Sequence, residues 1–166
     1  MDESELGSWV GSYSDLDHGD QYAAAQLVVE GGAVIGTREQ IALRLANVRV
    51  LALLREGPAG RIVGAASLKQ PNAGYRSRTF AKAGFPIAGF EDAPELGYVV
   101  VASRMRGRGL SDRLVGLIVT QIRERAFATT DNPIMKANLS RVGFLRAGAE
   151  WTGQKAMLSL WTFTPP

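Results

Sequence analysis

Apolar and polar positions along the chain change period several times, and each change marks an element. From Asp20 to Val29 the residues Tyr22, Ala25, Val28 and Val29 recur at roughly helical spacing, and Gly31-Gly32 supplies a stop. Thr37 with Gln40 three residues on is a capping-box pattern, and Ile41, Leu43 and Leu45 carry a second helix to about Asn47. Val48–Arg55 and Arg61–Leu68 are β-rich apolar runs. The turn Glu56-Gly57-Pro58-Ala59-Gly60 between them predicts a hairpin. Residues 69–94 hold several Gly and Pro with the aromatics Tyr75, Phe80, Phe85 and Phe90, and are expected to be irregular. A connection of that length in a compact domain is usually functional or mobile. Glu95–Ala102 is apolar nearly throughout, the pattern of a strand buried on both faces. After an arginine- and glycine-rich turn, Leu110, Leu114, Leu117, Ile118 and Ile122 stripe a helix from about Gly109 to Arg125. Phe127–Thr130 is a short strand. Asp131-Asn132-Pro133 opens a further helix, with proline at a favoured early position, that ends near Gly143. Phe144–Trp151 and Ala156–Phe163 are closing strands. Residues 1–17 are polar around the apolar pair Trp9-Val10, with room for a loose first strand. The predicted order, α-α-β-β-β-α-β-α-β-β, is that of a three-layer α/β protein with a mixed sheet.

Composition narrows the chemistry. A chain of 166 residues, 46% of them apolar, suits one globular domain over 1–166 with a substantial core. The absence of cysteine excludes disulfides, cysteine-ligated zinc and a cysteinyl acyl-enzyme. His18 is the sole histidine, which argues against a histidine-rich metal site or a Ser-His-Asp triad; no metal is expected, and His18 reads as a surface residue. Met1-Asp2-Glu3-Ser4-Glu5 is acidic where a signal peptide would be basic and then apolar. With no long apolar run either, the expectation is a cytoplasmic protein with no membrane partner. The formal charge of +3 alone does not argue for nucleic acid. Arg104, Arg106, Arg108 and Arg113 nevertheless crowd one short segment with only Asp112 opposing, as either a solvated face or an anion site.

Local geometry favours the anion there. In Val99-Val100-Val101-Ala102-Ser103-Arg104-Met105-Arg106-Gly107-Arg108-Gly109-Leu110-Ser111 a strand runs into a Gly-containing turn that opens a helix. The first amides of a helix lack internal partners and lie at the positive end of its dipole. Glycines let the backbone approach a ligand, and successive free N–H groups form a nest for phosphate or pyrophosphate. No Gly-x-x-x-x-Gly-Lys-Ser/Thr string is present. Gly107-Arg108-Gly109-Leu110-Ser111-Asp112 lacks the third glycine of a dinucleotide fingerprint and comes too late in the topology.

Arg104-Met105-Arg106-Gly107-Arg108-Gly109 resembles the acyl-CoA signature Gln/Arg-x-x-Gly-x-Gly/Ala of the GNAT N-acetyltransferases. Asp131-Asn132-Pro133-Ile134-Met135 and Leu139-Ser140-Arg141-Val142-Gly143-Phe144 resemble that family's second cofactor helix and its closing Gly-Phe pair. The resemblance is clear over about 48–151 and weak before that. It implies a GNAT fold, α/β with a mixed central sheet of splayed strands flanked by helices. It also implies acetyl-CoA as co-substrate. Val99, Val100 and Val101 would pair with the pantetheine arm through their backbone. The stretch Arg104, Met105, Arg106, Gly107, Arg108, Gly109, Leu110 and Ser111 would hold the pyrophosphate, and Asn132 would contact the pantetheine.

The implied reaction is direct attack of a neutral primary amine on the thioester. A backbone N–H near Val100 or Val101 would donate to the oxyanion. Glu95, which opens the strand before the signature, is the first candidate for general base, with Asp92 and Glu91 as alternatives. Many relatives carry a tyrosine as acid four residues before the Gly of the Gly-Phe pair, and here that position is Leu139, flanked by Asn138 and Ser140. The acceptor is not legible: a small molecule, a protein lysine or an N-terminus all fit. A domain that binds acyl-CoA with little turnover is a second reading. The basic and aromatic residues Tyr75, Arg76, Arg78, Phe80 and Lys82 could receive an acidic small molecule or a nucleic acid, which leaves a third reading, an enzyme of nucleic acid or nucleotides, against the plainer alternative of a packed flap. Trp9 and Tyr13 read as core. Homodimers are common in this family, and nothing in these residues decides the matter.

Overall fold

The computed structural model describes residues 5–166; the acidic stretch 1–4 lies outside them. A seven-stranded sheet runs through the molecule in the order β1-β2-β3-β4-β5-β7-β6. In chain order the elements are β1 (Leu6–Gly11), α1 (His18–Gly31), α2 (Arg38–Ala46), β2 (Val50–Glu56), β3 (Ile62–Lys69) and α3 (Ala73–Ala83). They continue with β4 (Glu95–Val101), α4 (Leu110–Val119), β5 (Ala126–Thr130), α5 (Pro133–Arg141), β6 (Leu145–Thr152) and β7 (Met157–Phe163). Every pairing is antiparallel except β4 with β5.

The near-continuous apolar runs of β2 and β3 follow from burial on both sheet faces. Ala52, Leu54, Val63 and Leu68 pack with Leu110, Leu114 and Ile118 of α4 and Leu139 of α5. Leu51, Leu53 and Ala65 pack on the opposite side with Ala24, Leu27 and Val28 of α1 and Ile41 and Leu45 of α2. A third cluster, Phe80, Phe90, Phe127 and Leu160, lies under α3. Tyr13 is buried with the α1–α2 core, against which Trp9 packs, and His18 is exposed.

Several sequence expectations need correction. The stretch 69–94 is not irregular throughout, because Ala73–Ala83 is helical. Asn72 caps it by accepting from the Tyr75 amide at 2.7 Å, and Gly84 ends it. Its inward face carries Arg76 and Thr79 beside Phe80 and Ala83, so two polar residues break the apolar stripe. β1 is a regular edge strand, in register with β2 from Leu6 opposite Glu56 to Gly11 opposite Leu51. α1 starts at His18, where the Asp17 carboxylate accepts from the Asp20 amide at 2.8 Å. α4 stops at Val119: the Gln121 and Ile122 amides tighten onto the Ile118 and Val119 carbonyls, and Ile122 stays buried from a turn. β4 is not buried on both faces along its length. Glu95 and Leu96 are buried, but Gly97–Val101 are only half-buried.

Candidate active site

β4 is shaped by a bulge. Lys69, Leu68 and Ser67 of β3 face Glu95, Leu96 and Gly97; Ala65 and Gly64 then face Val100 and Val101. Tyr98 and Val99 together oppose Ala66, an extra residue that bends the strand. Tyr98 takes a φ of 51°, a left-handed value found at no other non-glycine among the described residues. Its side chain is thereby placed with the α1–α2 face of the sheet, while Val99 and Val101 pack on the other. On its second edge β4 meets β5 at one position, Glu95 with Phe127. Beyond Glu95 the two parallel strands part, and that edge of Val99–Val101 has no ladder to β5.

The turn after β4 follows from local chemistry. The Met105 amide donates to the Ala102 carbonyl at 2.8 Å and that of Arg106 to Ser103 at 3.4 Å, closing one tight turn. The Met105 side chain is in the core, and the Arg104 guanidinium is held by Glu56 at 2.6 Å. That contact holds the Glu56 carboxyl below the usual carboxylate range. Gly107 and Gly109 have φ of 79° and 73°, which side chains resist, and a Cβ on either would meet open space. The first helical bond of α4 runs from the Arg113 amide to the Gly109 carbonyl at 3.2 Å. Among the described residues, the amides of Gly107, Gly109, Leu110 and Ser111 donate to no backbone acceptor. Arg106 lines a narrow cleft with Leu27, Gly31 and Val100, and Arg108 is exposed.

α5 braces this turn. Asn138, 1% exposed, donates to the Ser111 hydroxyl at 2.9 Å and accepts from Arg141 at 2.6 Å. Arg141 also pairs with Asp112 at 3.2 Å. Asn132 caps α5 by accepting from the Ile134 amide at 2.8 Å. Leu139 is fully buried in the α4–α5 core, so α5 presents no acid at that position.

Around the bulge lies a second constellation. Glu95 is 2% exposed, with Oε1 2.8 Å from Lys69 Nζ and Oε2 accepting from the Tyr75 hydroxyl at 2.9 Å. Burial, and then the Glu95 charge and hydrogen bond, push the Tyr75 hydroxyl pKa far up, so it remains a donor. A groove of about 820 Å³ opens over Lys69, Tyr75, Glu95 and Tyr98, with Arg44 and Arg78 on its lining. Glu91 and Asp92 are exposed and do not line it. Arg76 is buried and spends its guanidinium on the carbonyls of Ala93 at 2.9 Å, Glu91 at 2.6 Å and Pro71 at 2.9 Å. It thereby ties α3 to the segment entering β4. The sequence pattern does not single out Lys69 or Tyr98, and it gives Tyr75 as an aromatic of the 69–94 loop suited to packing or to a nucleic acid, not as a partner of Glu95. The one signal for Lys69 was its place at the end of an apolar strand.

No protein-family model and no curated protein sequence matches the chain. Solved structures do resemble it over nearly its whole length. An acyl-CoA N-acyltransferase from Pseudomonas aeruginosa is 17% identical with a TM-score of 0.63, over 96% of this chain and 99% of that one. A GNAT-family acetyltransferase from Streptococcus agalactiae is 12% identical with a TM-score of 0.72, over 96% of each chain. A ribosomal-protein-S5-alanine acetyltransferase from Vibrio fischeri is 15% identical with a TM-score of 0.64, over 99% and 95%. The fold is that of the GNAT acyl-CoA N-acyltransferases, a mixed seven-stranded sheet flanked by helices.

Proposed function

We propose that this GNAT-fold protein is an acetyl-CoA-dependent N-acetyltransferase that acts on a primary amine. The observation that carries the reading is the pairing of two features of β4. Among the described residues, the amides of Gly107, Gly109, Leu110 and Ser111, which follow it, donate to no backbone acceptor, and a buried carboxylate, Glu95, begins it. The amides of Gly107, Gly109, Leu110 and Ser111 suit a pyrophosphate, with Arg106 beside them. Arg104 is engaged by Glu56 and Met105 by its own turn, so their contribution is to shape the loop. The unladdered edge of Val99–Val101 suits the amide groups of a pantetheine arm, as a sheet edge suits a peptide. Asn132, capping α5 just after β5, is in the role of a pantetheine contact.

Acetyl-CoA supplies an acyl group activated as a thioester. Glu95 is the group that takes the proton of the attacking amine. Tyr75 orients its Oε2, and the bulge at Tyr98, which sets two residues of β4 against one of β3, suits a backbone N–H that donates to the oxyanion. The groove over Lys69, Tyr75 and Tyr98 is the entry for the acceptor. Burial of Arg76 and Phe80 removes two of the residues that could have served a nucleic acid.

Calorimetric titration with acetyl-CoA and with CoA tests the assignment. Wild type should bind both with roughly micromolar affinity, and Gly107→Glu, which places a carboxylate in the cradle, should bind neither. Free-thiol release with a panel of amines should then fall in Glu95→Gln by about 100-fold or more. A folded wild-type protein that binds neither ligand would overturn the proposal. Binding without thiol release from any amine would favour an acyl-CoA-binding domain, for which the Lys69 contact to Glu95 is the supporting observation.

A further inference from the structure

The Glu95 site already holds a primary amine, and it belongs to the protein. Lys69 ends β3 directly opposite Glu95. Its Nζ lies 2.8 Å from Glu95 Oε1 and 4.4 Å from the Tyr98 ring centroid, with the Tyr75 ring centroid at 6.0 Å. Its stem crosses Gly97, where a Cβ would fall 2.8 Å from Lys69 Cδ and 3.5 Å from Nζ. A side chain at position 97 would displace the lysine, so the glycine makes room for the amine over β4. One carboxylate and two aromatic faces are the surroundings with which proteins bind a substrate ammonium.

We propose that Lys69 is itself an acetyl acceptor, modified within the molecule by acetyl-CoA held at the adjacent cradle. The inference rests on the function proposed above. The Lys69 ammonium passes one proton to Glu95 and becomes a neutral amine. Nζ then attacks the thioester carbonyl carbon; an N–C bond forms and the C–S bond breaks. The nitrogen sheds its second proton. One of the two protons ends on the CoA thiol and the other in solvent, so the products are Nε-acetyl-lysine, CoA and a proton. Because the product is uncharged, the ion pair with Glu95 disappears and the groove loses a cation.

The other lysines of the chain are Lys82, Lys136 and Lys155. Lys82 is exposed, Lys136 pairs with Glu150 at 3.3 Å, and Lys155 donates to the Gly32 carbonyl at 2.8 Å. None of them lines the groove, so they are internal controls for acetylation from solution.

The test incubates the full-length protein with acetyl-CoA carrying an isotopically labelled acetyl group and follows each lysine by peptide mass spectrometry. Lys69 should take up label at least about tenfold faster than the other three, as expected for an amine held beside its donor. The rate per molecule should be independent of protein concentration, and excess CoA should slow Lys69 alone. If calorimetry shows acetyl-CoA bound while Lys69 labels no faster than the controls, the inference is overturned and the proposed function stands. A rate that falls on dilution would overturn the intramolecular route. Absence of acetyl-CoA binding would overturn both.

Discussion

At the scale of single residues, the contact between Tyr75 and Glu95 sets a measurable pH dependence. A buried hydroxyl that donates to a buried carboxylate keeps its proton in the folded protein where the unfolded chain would release it. A raised folded pKa gives stability that is complete below the ordinary tyrosine value, near pH 10, and is lost as pH rises further. Tyr75→Phe should therefore lower stability by about 1–3 kcal/mol at neutral pH and flatten the loss above about pH 10. Urea unfolding of both proteins at neutral and alkaline pH checks this; parallel pH profiles would remove the hydrogen bond from the account. Glu95 is also the residue at which the two edges of β4 meet, opposite Lys69 on one side and Phe127 on the other. Its position is thus held by backbone ladders as well as by side chains.

At the scale of elements, α3 is fastened by a buried cation held by backbone carbonyls. Arg76 satisfies three carbonyls from Pro71, Glu91 and Ala93, which lie on either side of α3. Arg76→Met keeps much of the volume but leaves those carbonyls short of donors. It should cost about 2–4 kcal/mol, read from the urea midpoint. The proposed cradle lies on other elements, between β4 and α4, so acetyl-CoA affinity should change little. A large loss of affinity with unchanged stability would mean that α3 touches the co-substrate. α5 has a different duty: through Asn138 and Arg141 it holds Ser111 and Asp112, the first turn of α4.

At the scale of the whole molecule, three cores bind the layers to one sheet. The aromatic core joins α3 to β5: Phe80 has ring centroids 5.3 Å from Phe127, 5.5 Å from Phe90 and 6.2 Å from Phe85. Phe80→Ala removes the shared member and should destabilise by about 3–5 kcal/mol. For a chain of this length that is a fall in Tm of roughly 10 °C, measurable by calorimetry. A fall of only a degree or two would mean that α3 is not cooperative with the sheet.

The features legible in the residues are those whose physics is local. The turn from Arg104 to Ser111 is contiguous, and its conformation depends on glycines at Gly107 and Gly109 and on the start of α4. The strands β2 and β3 and the helix α4 show themselves through periodicity, because burial on a regular element must repeat with its period. α3 hid because Arg76 and Thr79 occupy its buried face, and a buried arginine is tolerable only when distant carbonyls surround it. The cluster at Glu95 was hidden for the same reason. Tyr75 and Glu95 stand 20 positions apart, and Lys69 reaches Glu95 through antiparallel register. Tyr98 joins them only because a bulge turns it onto their face. Sequence patterning thus accounts for which segments fold and for the glycine turn that opens α4. Which side chains meet at the carboxylate, and where β4 and β5 part, depends on strand register, and register is set by packing between layers.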